Sequence, residues 1–169
     1  MSSLIKKLIL SILLLLFVGV FMSDAFAQKK LTQNDIDSYG TKIFDEDKEK
    51  VFNAVRDVLL SQNYEFELEN HEKGLIKTKQ KIIGQTGVAT SMTSAGVATS
   101  MTSAQYQLNY RQYYAYITET PEGKTKVVFS PKIYIGEADV TDRKVWVLKG
   151  AGGEYKLWEN LFKNVEERL

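Results

Sequence analysis

The sequence predicts an α+β fold: an antiparallel sheet of about five strands with two helices packed on one face, in the order β-α-β-β-β-β-α, a helix-grip-like arrangement. Three observations carry this. Apolar residues recur at the helical period in two segments, near residues 45–62 and 154–168, and each presents a stripe that needs a sheet to cover. Segments between them alternate apolar and polar residues at period two, as strands buried on one side do. No helical pattern separates the later strands, so neighbours are joined by turns and run antiparallel.

The chain opens with Lys6 and Lys7, an apolar run over residues 8–22, and Ala25-Phe26-Ala27 ahead of Gln28. A basic flank, an apolar run and an A-x-A ending are the layout of a secretory signal peptide, and the run is short against the roughly 20 residues of a membrane span. Cleavage after Ala27 is expected, with a retained anchor as the alternative and no stable membrane span once cleavage has occurred. It takes Lys6, Lys7 and Asp24 out of 22 basic and 21 acidic residues, leaving 20 of each. A neutral balance lacks the basic face that nucleic-acid phosphates require, so no nucleic-acid partner is expected. There is no cysteine, hence no disulfide and no lipidated N-terminal cysteine; a periplasmic or secreted protein that is not a lipoprotein, held together by its core alone, is the expectation.

Residues 28–38 are polar and read as a mobile lead-in, with one short helix after Thr32 as the alternative. A single α+β domain is expected over residues 39–169. Residues 39–44 suit a first strand. Asp45 can cap the first helix, with Glu46 and Asp47 placing negative charge on the free N–H groups of its first turn. Val51, Phe52, Val55, Val58 and Leu59 form its apolar stripe, and Asn63 suits a left-handed stop. Tyr64, Phe66 and Leu68 then alternate with Glu65, Glu67 and Glu69, which predicts a strand with the glutamates facing water. The turn at 70–74 leads into a strand carrying Lys77, Lys79 and Lys81, placed for cross-strand pairing with those glutamates.

Residues 84–104 are a low-complexity insertion. Residues 87–95 and 96–104 are the same nonapeptide, GVATSMTSA, and no charge occurs from Ile82 to Gln105. Nine residues put the copies half a turn out of step in either a straight strand or a helix. A hairpin turning at Ala95-Gly96 makes them equivalent, with Thr90 opposite Met101 and with Val88, Met92, Val97 and Met101 on one face. The small polar composition equally suits a flexible loop.

From Gln105 the texture becomes strand-forming and aromatic, and the turn at Pro121 and Gly123 leads to a partner strand over residues 125–135, in which Pro131 marks an edge or bulge. Residues 140–148 suggest a last strand. Glycines at 150, 152 and 153 break it, and Glu154 opens the final helix with Tyr155, Trp158, Leu161, Phe162 and Val165 inward.

Among chemistry-bearing residues, His71 is the lone histidine and has no second group beside it in the sequence to make a metal site or a nucleophile pair. No nucleophile elbow, zinc, P-loop or dinucleotide motif occurs, so no enzyme activity, metal or cofactor is expected. Alternation places Tyr106, Tyr110, Tyr114 and Tyr116 on one side of the sheet and Tyr113 on the other. A wet tyrosine row can stack on sugars or peptides while its hydroxyls take hydrogen bonds; the bland alternative is cross-strand packing.

The run FDEDKEKVFNAVRDVLLSQNYEFELENHEKGLIKT, with its N-Y turn, acidic-Lys-Gly turn and G-L-I, resembles the core of small bacterial envelope proteins with domains like that of the outer-membrane assembly lipoprotein BamC. The closing Y-x-x-W-x-x-L-F-x-x-V-x-x-R-L is similar to their last helix. The likeness covers residues 39–81 and 154–169 and implies a sheet gripped by two helices and a binding or scaffolding role in the envelope. The chain departs from that pattern in lacking the lipidated cysteine and in carrying the duplicated nonapeptide. Two roles follow as expectations. One is a non-catalytic module binding an envelope protein or polymer through Tyr106, Tyr110, Tyr114 and Tyr116 or through Val88, Met92, Val97 and Met101. The other is a carrier or enzyme with a small-ligand pocket between sheet and helices.

Overall fold

The computed structural model describes residues 28–91, 102–142, 146–150 and 152–169. The expected signal segment, 1–27, lies outside them. The strands are β1 (Gln28–Lys29), β2 (Thr41–Phe44), β3 (Phe66–Asn70), β4 (Leu75–Thr78), β5 (Lys81–Ser91), β6 (Thr102–Glu119), β7 (Thr125–Ile135), β8 (Ala138–Asp139) and β9 (Trp146–Val147). The helices are α1 (Gln33–Tyr39), α2 (Lys48–Ser61) and α3 (Glu154–Glu166). Seven strands form one antiparallel sheet in the spatial order β2-β7-β6-β4-β3, with β5 added to β6 and β8 to β7. The architecture is the expected α+β one, with more strands than the five anticipated.

The apolar stripes of α2 and α3 lie on the same face of this sheet. Val51, Phe52, Val55, Val58 and Leu59 of α2 and Trp158, Leu161, Phe162 and Val165 of α3 share one buried cluster with Ile76, Tyr113, Ala115, Ile117, Val127 and Phe129 of the strands. Burying a side chain of that size contributes roughly 1.5–3 kcal/mol, so this layer outweighs any surface pair described below.

Local signals were met with shifts of a few residues. Asp47, not Asp45, caps α2, accepting the Lys50 backbone N–H at 2.8 Å. Asp45 instead pairs with Lys124 at 2.6 Å, and the Thr125 hydroxyl donates to the Glu46 carbonyl at 2.7 Å. The β6–β7 turn therefore holds residues 45 and 46 in a bend after β2, and the helix starts at Lys48. Asn63 adopts the left-handed conformation, φ 59°, that ends α2. The short helix that was the alternative to a mobile lead-in is present as α1, which begins in the polar segment 28–38 and takes in Tyr39, so the first strand starts at Thr41 and not at Tyr39. Thr32 and Asp35 form a reciprocal capping box, and the buried Asp35 accepts the Tyr155 hydroxyl at 2.6 Å.

Two strands depart from simple alternation. A bulge between Phe66 and Leu68 lets both Glu67 and Leu68 fall on Lys77, so Leu68 turns outward, 44% exposed, and Glu69 turns toward the helix side. Glu69 accordingly meets Arg56 of α2 at 3.1 Å instead of a lysine of the following strand. Lys79 pairs with Glu65 at 2.7 Å and Lys77 with Glu67 at 2.6 Å, as the alternation predicts. The last strand is also different: β9 leaves the main sheet and pairs with β1 in a two-stranded ribbon.

β4 and β5 share one edge of β6, opposite residues 114–116 and 102–111. At the junction the Thr78 hydroxyl accepts the Tyr113 backbone N–H at 2.9 Å, and the Gln112 side chain donates to the Thr78 carbonyl at 2.7 Å. Side chains thus satisfy the groups that a continuous ladder would have paired. On the opposite edge β7 meets β2 at residues 125–128 and β8 at 134–135, so Pro131 sits in the gap where no partner needs its missing N–H.

Gly74, at φ 59°, closes the turn before β4, and a Cβ there would lie 1.8 Å from the Ile117 carbonyl oxygen. Gly123, at φ 76°, has open space. Gly123→Ala is expected to cost about 1–2 kcal/mol from backbone strain alone, and Gly74→Ala at least twice that, because the backbone of β6 must move. Urea unfolding of the two variants checks the difference; equal losses would show that Ile117 yields freely.

Candidate functional site

Strand geometry fixes which side of the sheet is available. With α2 and α3 over the face that holds Tyr113 and Ala115, the even-numbered residues of β6 point the other way. Tyr114 and Tyr116 lie there as a near-parallel pair with centroids 6.5 Å apart, and Tyr116 is 44% exposed. Tyr110 lies farther along the same row, opposite Tyr134 of β7. Tyr106 is 69% exposed and opposes Gly87, where β6 has run past the end of β7 and only β5 remains beside it. The partition of tyrosines expected from alternation is what the structure shows, Tyr113 being buried among helix residues.

The nonapeptide residues are reached only in part. β5 and β6 pair antiparallel as far as Ser91 opposite Thr102, as hairpin arms would, but two residues out of the expected register: Thr90 opposes Ser103, not Met101, and Val88 opposes Gln105. Met92, Val97 and Met101 lie outside the described residues, as does the expected turn at Ala95-Gly96.

Across the open face runs a line of charge centred on Tyr114. Glu67 of β3 pairs with Lys77 of β4, whose ammonium lies 5.5 Å from the Tyr114 ring centre. From the other side Lys132 of β7 lies 5.9 Å from the same centre and pairs with Asp139 of β8 at 2.9 Å. Gln112 joins this lattice, donating to Glu67 at 3.0 Å and accepting the Tyr134 hydroxyl at 3.1 Å. Tyr114 is thus flanked by cations, which attract its π-face. Of this pair, Tyr116 is the ring with the exposure that stacking requires. Burial raises the Asp139 carboxyl, but the Thr141 hydroxyl and Lys132 outweigh it and bring it down to about 2.

Gln112, Lys132, Tyr134 and Asp139 were not singled out from the sequence. The alternation in 125–135 assigns Lys132 and Tyr134 to this face; nothing local tells that β8 folds back to bring Asp139 beside them.

A second polar cluster is sealed inside. Glu154, first residue of α3 and 1% exposed, accepts Arg111 Nη2 at 2.7 Å and the Tyr113 hydroxyl at 3.0 Å. Burial pushes the Glu154 carboxyl up, and Arg111 and the Tyr113 hydroxyl draw it back only in part. Burial likewise carries the Tyr113 hydroxyl well above its ordinary value. Such groups attract suspicion of catalysis, but they face one another across packed side chains, and the arrangement ties the start of α3 to the middle of β6.

Between sheet and helices lie Trp158, Tyr113 and Phe129, all buried. A groove of about 720 Å³ opens at the surface between α1, β2 and α3, lined by Tyr39, Lys42, Lys149, Tyr155, Lys156 and Lys163 among others. Lys42 and Lys156 there are paired with Glu166 and Glu159. His71 packs against Phe52 at the 70–74 turn, the ring centroids 3.8 Å apart and the planes tilted by 37°. Among the described residues no three His, Asp or Glu side chains gather as for a metal, no helix is long and apolar enough to cross a membrane, and nothing points to catalytic activity.

No protein-family model matches the chain, and no curated protein matches it. Among solved structures it is similar to a DUF4468 family protein from Bacteroides ovatus, 13% identical, over 76% of this chain and 83% of that one, with a TM-score of 0.39.

Two outcomes follow. Glu154→Gln is expected to cost about 3 kcal/mol, since breaking a buried pair strands the other charge. Arg111→Met with Glu154→Leu should recover most of that loss in denaturant midpoints, whereas a double variant as unstable as the single one would show that the pair itself supplies stability. The second concerns acid. The folded Asp139 carboxyl lies below its ordinary 3.8, so it adds stability above that value and loses it as pH falls toward about 2. Asp139→Asn should therefore be less stable than the unaltered chain at pH 6, with the gap closing by about pH 2 in thermal melts.

Proposed function

We propose that the chain is an exported, non-catalytic envelope protein whose uncovered sheet face binds an envelope protein or polymer. The supporting observation is the one-sided covering of the sheet. The buried side chains of α2 and α3 all meet the face that carries Tyr113, while on the other Tyr116 stays 44% exposed beside Tyr114, Gln112, Lys77 and Lys132. Aromatic rings with fixed hydrogen-bonding neighbours are what interfaces concentrate, and a sheet holds them without the entropy loss of ordering a loop. The likeness of residues 39–81 and 154–169 to BamC-like domains is the basis for placing that role in the envelope, and the layout of residues 1–27 is the basis for export.

The lattice around Tyr114 is charge-compensated within itself, Glu67 with Lys77 and Asp139 with Lys132. A partner is therefore read by ring stacking and hydrogen bonds more than by net charge. Salt should weaken its binding little, because long-range attraction is what salt screens.

The test is co-sedimentation with purified cell-wall polymer and, separately, capture of detergent-extracted envelope proteins. Tyr110→Ala with Tyr116→Ala is expected to lower retention at least ten-fold while the urea midpoint moves by the equivalent of about 1 kcal/mol, as for half-exposed side chains. Equal retention of the variant and the unaltered chain in both assays would remove the sheet face as the binding site.

A further inference from the structure

We infer that the free edge of β5, residues 84–91, pairs with the same edge of a second copy of this chain, joining two sheets across a two-fold axis. A strand with one neighbour leaves N–H and C=O groups unpaired on its outer side, and proteins blunt such edges by shortness, charge, proline or a bulge. The edges at β2, β8 and β3 are blunted, and past the end of β7 the β5–β6 arm has one further edge unpaired among the described strands, that of β6 over residues 102–108. β2 has four residues and ties Lys42 to Glu166; β8 has two; β3 has five, is bulged at Glu67 and carries Glu67 and Glu69.

β5 is built differently. It has 11 residues, and from Gly84 to Ser91 it carries neither charge nor proline. Its bulge falls between Ile82 and Gly84, before that stretch begins, so the edge beyond runs in unbroken register with β6 from Gly84 opposite Asn109 to Ser91 opposite Thr102. β7 pairs with β6 only from Asn109 onward. The β5–β6 arm therefore projects past the body of the sheet, with nothing among the described strands beside β5. Two exposed isoleucines, Ile82 at 57% and Ile83 at 41%, flank the base of this edge.

A second copy fits this edge for a reason of charge. Two-fold pairing sets a strand against itself, and any charge on it risks facing its own kind, which destabilises a cross-strand pair. Residues 84–91 offer none, and the identical neutral backbone supplies donors and acceptors in equal number. Pairing β5 with the β3 edge of another copy would instead set neutral side chains against Glu67 and Glu69, so a head-to-tail filament is disfavoured. The two-fold arrangement closes on itself and stops at two, leaving the tyrosine face of each copy open. It is independent of what that face binds.

Sedimentation equilibrium of the purified protein tests this. The unaltered chain is expected to sediment as a dimer, and Thr86→Lys with Thr90→Lys to raise the dimer dissociation constant at least ten-fold with an unchanged circular dichroism spectrum. Because the chain has no cysteine of its own, single cysteines can be placed at 85, 87 and 89 on β5 and at 105 and 107 on β6, then joined with a short thiol cross-linker. Linked dimers from the β5 positions support the pairing even if the lysine variant fails to fold. A monomer at about 0.1 mM, a dimer that survives the lysines, or linkage confined to the β6 positions would each overturn it.

Discussion

The one-sided burial of β6 is the constraint on which the rest of this structure depends. This 18-residue strand is central to the sheet, and its odd-numbered residues Tyr113, Ala115 and Ile117 lie beneath α2 and α3. Side chains alternate strictly along a strand, so covering one face commits the other to the surface. The tyrosines at 114 and 116 are outward because their neighbours at 113, 115 and 117 are inward. No separate force is needed to display them.

The same constraint accounts for the polar groups inside the fold. A strand this long outruns its neighbours, and where β4 stops and β5 begins, Thr78 and Gln112 take over hydrogen bonds that the ladder leaves unmade. Where α3 begins against β6, Gly153 has no side chain to cap it, and the first helical residue, Glu154, turns inward to Arg111 and Tyr113. The pair is costly to bury, yet each group would cost more alone. On the open face the charges are arranged differently: Glu67, Lys77, Lys132 and Asp139 are partly solvated and pair around an aromatic ring, each contact being worth little by itself.

Much of this was legible in the residues. The stripe of α2, its left-handed stop at Asn63, the bounds of β7 at 125 and 135, the final helix opening at Glu154 and the division of tyrosines about the sheet all follow from spacing, because period and burial are local consequences of backbone geometry. The failures share a different cause. Asp45 has the chemistry of a cap and loses that role to Asp47 because Lys124 and Thr125, some 80 positions away, hold residues 45 and 46 against the β6–β7 turn. Leu68 and Glu69 exchange sides because a bulge opposite Lys77 inserts one residue. α1 looks too polar to pack; it does so because Asp35 finds Tyr155 across the fold, and Tyr39 stacks on the same ring at 3.9 Å.

By itself, then, the sequence determined where the two long helices and the main strands form and which side of most of them is apolar, since those are properties of neighbours within a few residues. Tertiary structure alone decided that Asp139 and Gln112 join the lattice around Tyr114, that β9 deserts the sheet for β1, and that the neutral stretch 84–91 has β6 as its one neighbour among the described strands. Each of those depends on which strand arrives beside which. That choice is made by the packing of the whole layer, where residues far apart in the chain compete for the same partner.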